Sequence, residues 1–232
     1  MPPKESPVTD HKSNTGSQIK TSGALSGSDF EKFEAPNHEK YESKNPIARA
    51  MTNAFKASLE GLLALIPSIQ SVHEVGCGEG YLSPVIAKYT KTYRGSDLSP
   101  RLIEKAVKRA DVLSLDCKYQ VKSIYDLRPE VDSAEVMICC EVLEHLEHPE
   151  DALKAINNLN FTYGIFSVPR EPIWCTLNMM RGKYLWQLGN TPGHIQHWSK
   201  RAFTAMLGKN FEIVKIKSPL PWTMVLVKKR LN

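Results

Sequence analysis

Val72-His73-Glu74-Val75-Gly76-Cys77-Gly78-Glu79-Gly80-Tyr81 is the stretch on which the fold turns. Val72 to Val75 reads as a short, largely apolar strand, and three glycines at alternate positions follow it at once. Glycine carries no Cβ, so the chain can turn tightly there and bring its amides against a ligand. A helix is expected from about Tyr81 to Tyr89, and its start would present free N–H groups. The spacing is Gly-x-Gly-x-Gly, with Glu74 two residues ahead of the first glycine, and it differs from the dinucleotide fingerprint. A carboxylate at that place suits a ligand with a cationic amino-acid portion better than a pyrophosphate. Asp97 closes a second strand, Tyr93 to Ser96, where a carboxylate can accept hydrogen bonds from both hydroxyls of a ribose.

Working outward, the same alternation continues. Upstream, Pro46 opens a helix carrying Ile47, Met51, Phe55, Leu59, Leu62 and Leu63 at helical spacing, ending before Pro67. Residues 1–43 are rich in Ser, Lys, Glu, Pro, Gly and Asn and read as a disordered N-terminal tail, with Phe30, Phe33 and Tyr41 as apolar anchors near its end. Downstream, Ser99-Pro100 starts a helix over Arg101–Ala110. Strands at Cys117–Val121, Ala134–Cys140 and Tyr163–Val168 follow, with a helix at about Glu150–Leu159. Strands alternating with helices predict a parallel sheet covered on both faces. Phe211–Lys217 and Thr223–Lys229 read as a closing antiparallel hairpin joined through Pro219 and Pro221. One domain over 44–232 accounts for the whole pattern.

Composition narrows the class. With 41% hydrophobic and 24% charged residues, the chain reads as soluble and globular. Neither a membrane-length apolar run nor a signal-peptide pattern occurs, so a cytoplasmic location is expected. The five cysteines are odd in number and include no Cys-x-x-Cys pair, which reads as reduced thiols, not a disulfide framework or zinc knuckle. The net charge of +5 is uneven: residues 167–232 hold eleven basic and two acidic side chains. That segment is either a solvated basic face or an attraction for an anionic substrate, nucleic acid or membrane surface.

Through Glu74-Val75-Gly76-Cys77-Gly78-Glu79-Gly80 and Glu141-Val142-Leu143-Glu144-His145-Leu146, the chain resembles the class I S-adenosylmethionine (SAM)-dependent methyltransferases. The resemblance covers about Val72 to Val168. It implies an α/β fold: a Rossmann-like, doubly wound, mostly parallel seven-stranded sheet with the antiparallel C-terminal hairpin. It also implies SAM as cofactor. Glu74 would orient the methionine amine near Gly76, and Gly76, Gly78 and Gly80 would bound the methionine and sulfonium portion, with Cys77 and Tyr81 in the same turn. Asp97 would hold the ribose and Leu98 would pack on the adenine. Many relatives carry an Asp after the third strand; here Lys122-Ser123-Ile124 stands there, leaving Ser123 and the Ile124 backbone as adenine contacts.

The second motif sits where the transferred methyl group would point. Residues three and four apart share a helix face, so Glu141, Glu144 and His145 are expected to converge. Two carboxylates and an imidazole suit Mg²⁺, Mn²⁺ or Zn²⁺. With a later histidine, the pattern resembles the ubiquinone-pathway O-methyltransferases and the small-RNA 2′-O-methyltransferases; in the latter, two Glu and two His bind the ion, and the resemblance implies His194 as the fourth ligand. Many relatives use no metal; Glu141 then shapes the cofactor pocket, and His145, His194 or His197 is a candidate general base.

Residues 170–198 form an insertion after the fifth strand, either a packed element or a substrate lid. Arg170, Trp174, Arg181 and Lys183 are its candidates for meeting an anionic substrate. The leading expectation is O-methylation of a small or lipid- or sugar-linked anionic molecule. Metal-dependent RNA 2′-O-methylation is the alternative, less favoured because no RNA-binding module is evident. A SAM-binding regulatory protein without turnover is a further one.

Overall fold

In the computed structural model, residues 41–180, 182, 185–191 and 193–230 are described. In chain order they form α1 (Pro46–Leu63), β1 (Ser71–Val75), α2 (Ser83–Ile86), β2 (Thr92–Asp97), α3 (Pro100–Val112), β3 (Cys117–Val121) and α4 (Pro129–Asp132). There follow β4 (Val136–Cys140), α5 (Pro149–Asn158), β5 (Tyr163–Pro169), α6 (Ile173–Met180), α7 (Lys200–Asn210), β6 (Phe211–Lys217) and β7 (Trp222–Lys229). The strands make one sheet in the order β3-β2-β1-β4-β5-β7-β6. β1 to β5 run parallel, and β7 pairs antiparallel with both β5 and β6. The order reverses between β1 and β4, which opens a crevice at the C-terminal ends of those two strands.

Local chemistry explains the elements. Asn45 caps α1, its side chain accepting from the Ile47 and Ala48 amides, and Pro46 supplies the fixed φ of a first helical residue. Phe55, Leu59, Leu62 and Leu63 are the face it buries. Ser99 caps α3 by accepting from the Leu102 amide. β4 is buried along its whole length, as expected of a central parallel strand covered on both faces. One core layer joins Met137, Cys139 and Phe166 to Leu153, Phe203 and Phe211. The other joins Val136, Ile138 and Trp222 to Phe55, Leu59 and Ile86.

The differences from expectation are local. α2 has four residues, not nine, because Tyr81 and Leu82 are used in the turn and the chain must re-enter the sheet at Thr92. β4 begins at Val136; Glu135 instead donates its amide to Ser71 Oγ at the lower edge of the sheet. α7 was not anticipated, although Ser199 caps it and Phe203, Met206 and Leu207 recur at helical spacing. The final hairpin forms, with its second strand placed inside the sheet against β5.

Residues 1–40, with Phe30 and Phe33, lie outside the described residues, as do Arg181, Lys183 and Tyr184. Tyr41 does dock: its ring stacks on Tyr81 at 4.7 Å. All five cysteines are free thiols. Among the described residues no helix is long and apolar enough to cross a membrane.

Candidate active site

The glycine turn leaves β1 and crosses to β2. The amides of Gly76 and Cys77 both donate to the Ser96 carbonyl, at 2.7 and 2.9 Å. Gly76 has φ +75°, and a Cβ there would lie 2.2 Å from Val142 Cγ2. Glycine is therefore required for the turn to lie against the exit of β4. Gly78, at φ +53°, donates its amide to Asp97 Oδ2 at 2.9 Å, and Ser99 donates to Asp97 Oδ1 at 3.0 Å. Asp97 thus pins the turn to β2. Burial pushes its carboxyl up from the usual range, and the Ser99, Gly78 and Leu98 amides pull it back.

Glu74 is almost completely buried and accepts from the Tyr93 hydroxyl at 2.5 Å. Burial raises its carboxyl to about 8, with the Tyr93 hydrogen bond opposing and nearby Asp97 adding. A cationic group beside it would restore the carboxylate. Each Asp97 oxygen carries two lone pairs, so the amide bonds leave capacity for ribose hydroxyls. A close turn that excludes side chains, a buried acid in need of a cation and a hydroxyl-accepting carboxylate together fit SAM.

The remaining cofactor candidates surround this turn. Cys77 is buried under Gly95, whose missing Cβ would lie 2.9 Å from its sulfur. Leu98 is half-buried beside Asp97. Ser123 caps the short turn after β3, its Oγ accepting from the Tyr125 amide, and Ile124 is buried. Tyr81 faces the Tyr41 ring and the Arg109 guanidinium, 3.7 Å from its centroid, and donates its hydroxyl to Glu42.

Sequence reasoning gave His73 no role. It is fully buried; Nδ1 donates to the Asp132 carbonyl at 2.7 Å and Nε2 accepts from Ser96 Oγ at 2.9 Å. Burial lowers its pKa to about 4, against a raising hydrogen bond from Asp132. A histidine inside a strand expected to be central and buried was the available signal.

The second motif assembles differently from its expected form. Glu141 leaves β4 with φ +61°, a left-handed backbone, and only Leu143–His145 form a 3-10 turn. Glu141 therefore shares no helix face with Glu144 and His145. Its carboxylate accepts from Trp222 Nε1 at 2.5 Å and from Ser167 Oγ at 3.3 Å. The group that does converge is Glu144, His145 and His194, whose donor atoms lie within 4.8 Å of one another.

Backbone contacts hold this group together. The Glu144 carbonyl accepts from the Ile195 and Gln196 amides, at 2.9 and 3.1 Å. His145 Nδ1 donates to the Gly193 carbonyl at 2.9 Å, which places the ring proton on Nδ1 and the basic lone pair on Nε2. Its ring meets His194 edge to face at 4.9 Å. Trp174 stacks on His194 at 5.6 Å, leans on Trp222 at 5.8 Å, and donates Nε1 to Thr191 Oγ1. The insertion thus forms a wall of the site. A carboxylate and two imidazoles so placed can take a proton from a substrate or hold a divalent cation.

His197 lies elsewhere, with Nδ1 3.3 Å from Glu171 Oε1. Its segment is anchored by the bridge between Trp198 and Arg170, which turns it away from the Glu144 group. Arg170 has a buried Nε with no hydrogen-bond partner among the described residues. Arg181 and Lys183 lie outside the described residues.

The chain matches the family model described as a methyltransferase domain over residues 47–216. It is 35% identical over 83 residues to the ubiquinone biosynthesis O-methyltransferase of Coxiella burnetii (strain Dugway 5J108-111), covering 36% of each chain. To the enzyme of the same name from Xanthomonas campestris pv. campestris (strain B100) it is 30% identical over 121 residues, covering 50% of this chain and 51% of that one. The chain thus spans between about a third and half of the length of these curated relatives. Its fold is similar to magnesium protoporphyrin IX methyltransferase from Synechocystis PCC 6803 with bound SAH: TM-score 0.64, 16% identity, 88% of this chain and 95% of that one. With the family match spanning both motifs, the chain belongs to the methyltransferase-domain family, and its fold is that of the class I SAM-dependent methyltransferases.

Proposed function

We propose that this protein methylates a hydroxyl oxygen on a small or lipid- or sugar-linked anionic molecule. The observation that carries the reading is the convergence of Glu144, His145 and His194 at the exit of β4, two residues beyond the Val142 side chain that meets Gly76. The similarity to ubiquinone biosynthesis O-methyltransferases supports an oxygen acceptor. SAM, when bound, supplies a methyl group already activated by its sulfonium. The protein's tasks are then positioning and proton removal. His145 Nε2 takes the hydroxyl proton, its ring held by Gly193. Trp174 and Trp222 exclude water from one side. Arg170 meets the anionic part of the acceptor.

The test is an untargeted search, by mass spectrometry, for metabolites that gain one methylene unit with protein and SAM. An O-methylated product that the His145→Ala variant fails to form supports the reading. A product methylated on nitrogen or carbon, or no turnover of SAM with any acceptor, overturns it.

A second reading is favoured by the same distances: Glu144, His145 and His194 hold a divalent cation. Three protein ligands leave positions open for substrate oxygens. A four-ligand set of the kind implied by the small-RNA enzymes would require Glu141 to leave Trp222 and Ser167. Chelation followed by added Mn²⁺ or Mg²⁺ separates the two readings: the metal reading requires activity to vanish and return, and full activity after chelation rejects it.

A further inference from the structure

A second constellation of metal-ligating atoms lies outside the methyl-transfer site. Cys175, in the first turn of α6, has its sulfur 3.2 Å from Glu171 Oε1. The same oxygen lies 3.3 Å from His197 Nδ1. All three donor atoms fall within 4.8 Å of one another. Tetrahedral zinc, with bonds of about 2.0 Å to N and O and about 2.3 Å to S, places neighbouring ligand atoms roughly 3.3–3.6 Å apart. The His197–Glu171 separation agrees with that geometry, and the Cys175–Glu171 separation needs only a small relaxation. The other Glu171 oxygen accepts from the Cys175 amide at 3.2 Å, an outer contact that orients the carboxylate as such contacts do around protein-bound metals.

We propose that Glu171, Cys175 and His197 form a zinc site that clasps the base of the insertion. A thiolate, an imidazole and a carboxylate together select a borderline cation over Mg²⁺ or Ca²⁺. The three ligands come from three segments: the exit of β5, the first turn of α6 and the strand-like segment before α7. Two of these segments already meet, the Glu171 amide donating to the Trp198 carbonyl at 3.0 Å. Binding releases the thiol proton to solvent and ties the two ends of the segment that carries Trp174 and His194. His197 is exposed and Cys175 half-buried, so a water or substrate oxygen can complete the tetrahedron.

Cobalt(II) provides the test, because a thiolate–cobalt bond absorbs in the near ultraviolet whereas the Glu144–His145–His194 group contains no sulfur. Chelator-treated full-length protein is titrated with cobalt, then with zinc. The expected result is a near-ultraviolet band saturating at one equivalent and displaced by zinc. Cys175→Ser removes the band while SAM binding persists, His197→Ala weakens cobalt binding at least about tenfold, and His145→Ala leaves the band intact. Absence of the band in the wild-type protein, or its survival in Cys175→Ser, overturns the proposal. Because the band is independent of turnover, its loss and a failure of the O-methylation reading are separately visible.

Discussion

His145 and Gly193 are joined by a 2.9 Å hydrogen bond from the ring Nδ1 to the backbone carbonyl, and this contact fixes which nitrogen is basic. Removing the imidazole leaves the cofactor turn untouched. We expect His145→Ala to lower kcat about 10²–10⁴-fold. Calorimetric SAM affinity should be unchanged; a parallel loss of affinity would place His145 on the cofactor instead.

Asp97 accepts from Gly78 and Ser99 and is the proposed holder of the ribose. A hydrogen bond to a charged group contributes about 1.5–3 kcal/mol, so Asp97→Ala should weaken SAM binding about 10–150-fold. Gly78→Arg should abolish it, since the backbone there has φ +53°. Calorimetry showing wild-type affinity in both variants would remove the turn from the cofactor site.

Glu74 is protonated in the ligand-free protein up to about pH 8. Pairing with the SAM ammonium favours the carboxylate, so binding below that pH expels a proton. SAM affinity should therefore rise with pH between about 5.5 and 7.5, by at most about tenfold per unit, while the ligand amine stays charged. Glu74→Gln should flatten the slope. Titration in buffers of different ionisation enthalpy measures the released proton directly.

His73 makes the opposite kind of demand. Its pKa falls to about 4 on folding, so between pH 6.5 and 4 the unfolded chain binds the extra proton. The neutral ring's contribution is present above pH 6.5 and is lost as pH falls through 4, by about 3 kcal/mol in total. His73→Gln keeps a donor and an acceptor without a titrating group. The stability difference between wild type and this variant, from urea midpoints at pH 7 and pH 4, should shrink by that amount; a constant difference would refute the assignment.

Gly189 has φ +79°, and a Cβ would lie 2.1 Å from the Cys175 carbonyl oxygen. Backbone cannot yield as a side-chain tip can, so Gly189→Ala should push the loop at Gly189 away from α6 and displace Trp174. Misplacement of this order costs up to about 10² in turnover. Acceptor kinetics should deteriorate while SAM affinity holds; equal loss of both would show that the insertion supports the cofactor site as well.

The turn that forms the candidate cofactor site was legible because its signals are local. Glu74, Gly76, Gly78 and Asp97 each declare themselves by residue type and position at a strand end, and β3 runs over the expected Cys117–Val121. The catalytic half depends on backbone dihedrals and distant partners. Nothing near Glu141 announces its left-handed backbone, and its hydrogen-bond donor, Trp222, lies on the last strand. As candidate bases His194 and His197 look alike in sequence; the Gly193 carbonyl and the Trp198–Arg170 bridge send them to different groups. His73 was silent because the Asp132 carbonyl comes from α4, which was not anticipated.

β7 imposes an order on the birth of the protein. It pairs with β5 on one side and β6 on the other, and it delivers the Trp222 ring that backs Trp174 and bonds Glu141. A nascent chain can build β1 to β4 and the SAM turn while its remainder is still on the ribosome. Until Trp222–Lys229 emerges, β5 exposes an unpaired apolar edge, the kind of surface that recruits chaperones or neighbouring chains. Cofactor capture can thus precede completion of the acceptor site during synthesis, and SAM supplied early would favour the partly made chain over its aggregates.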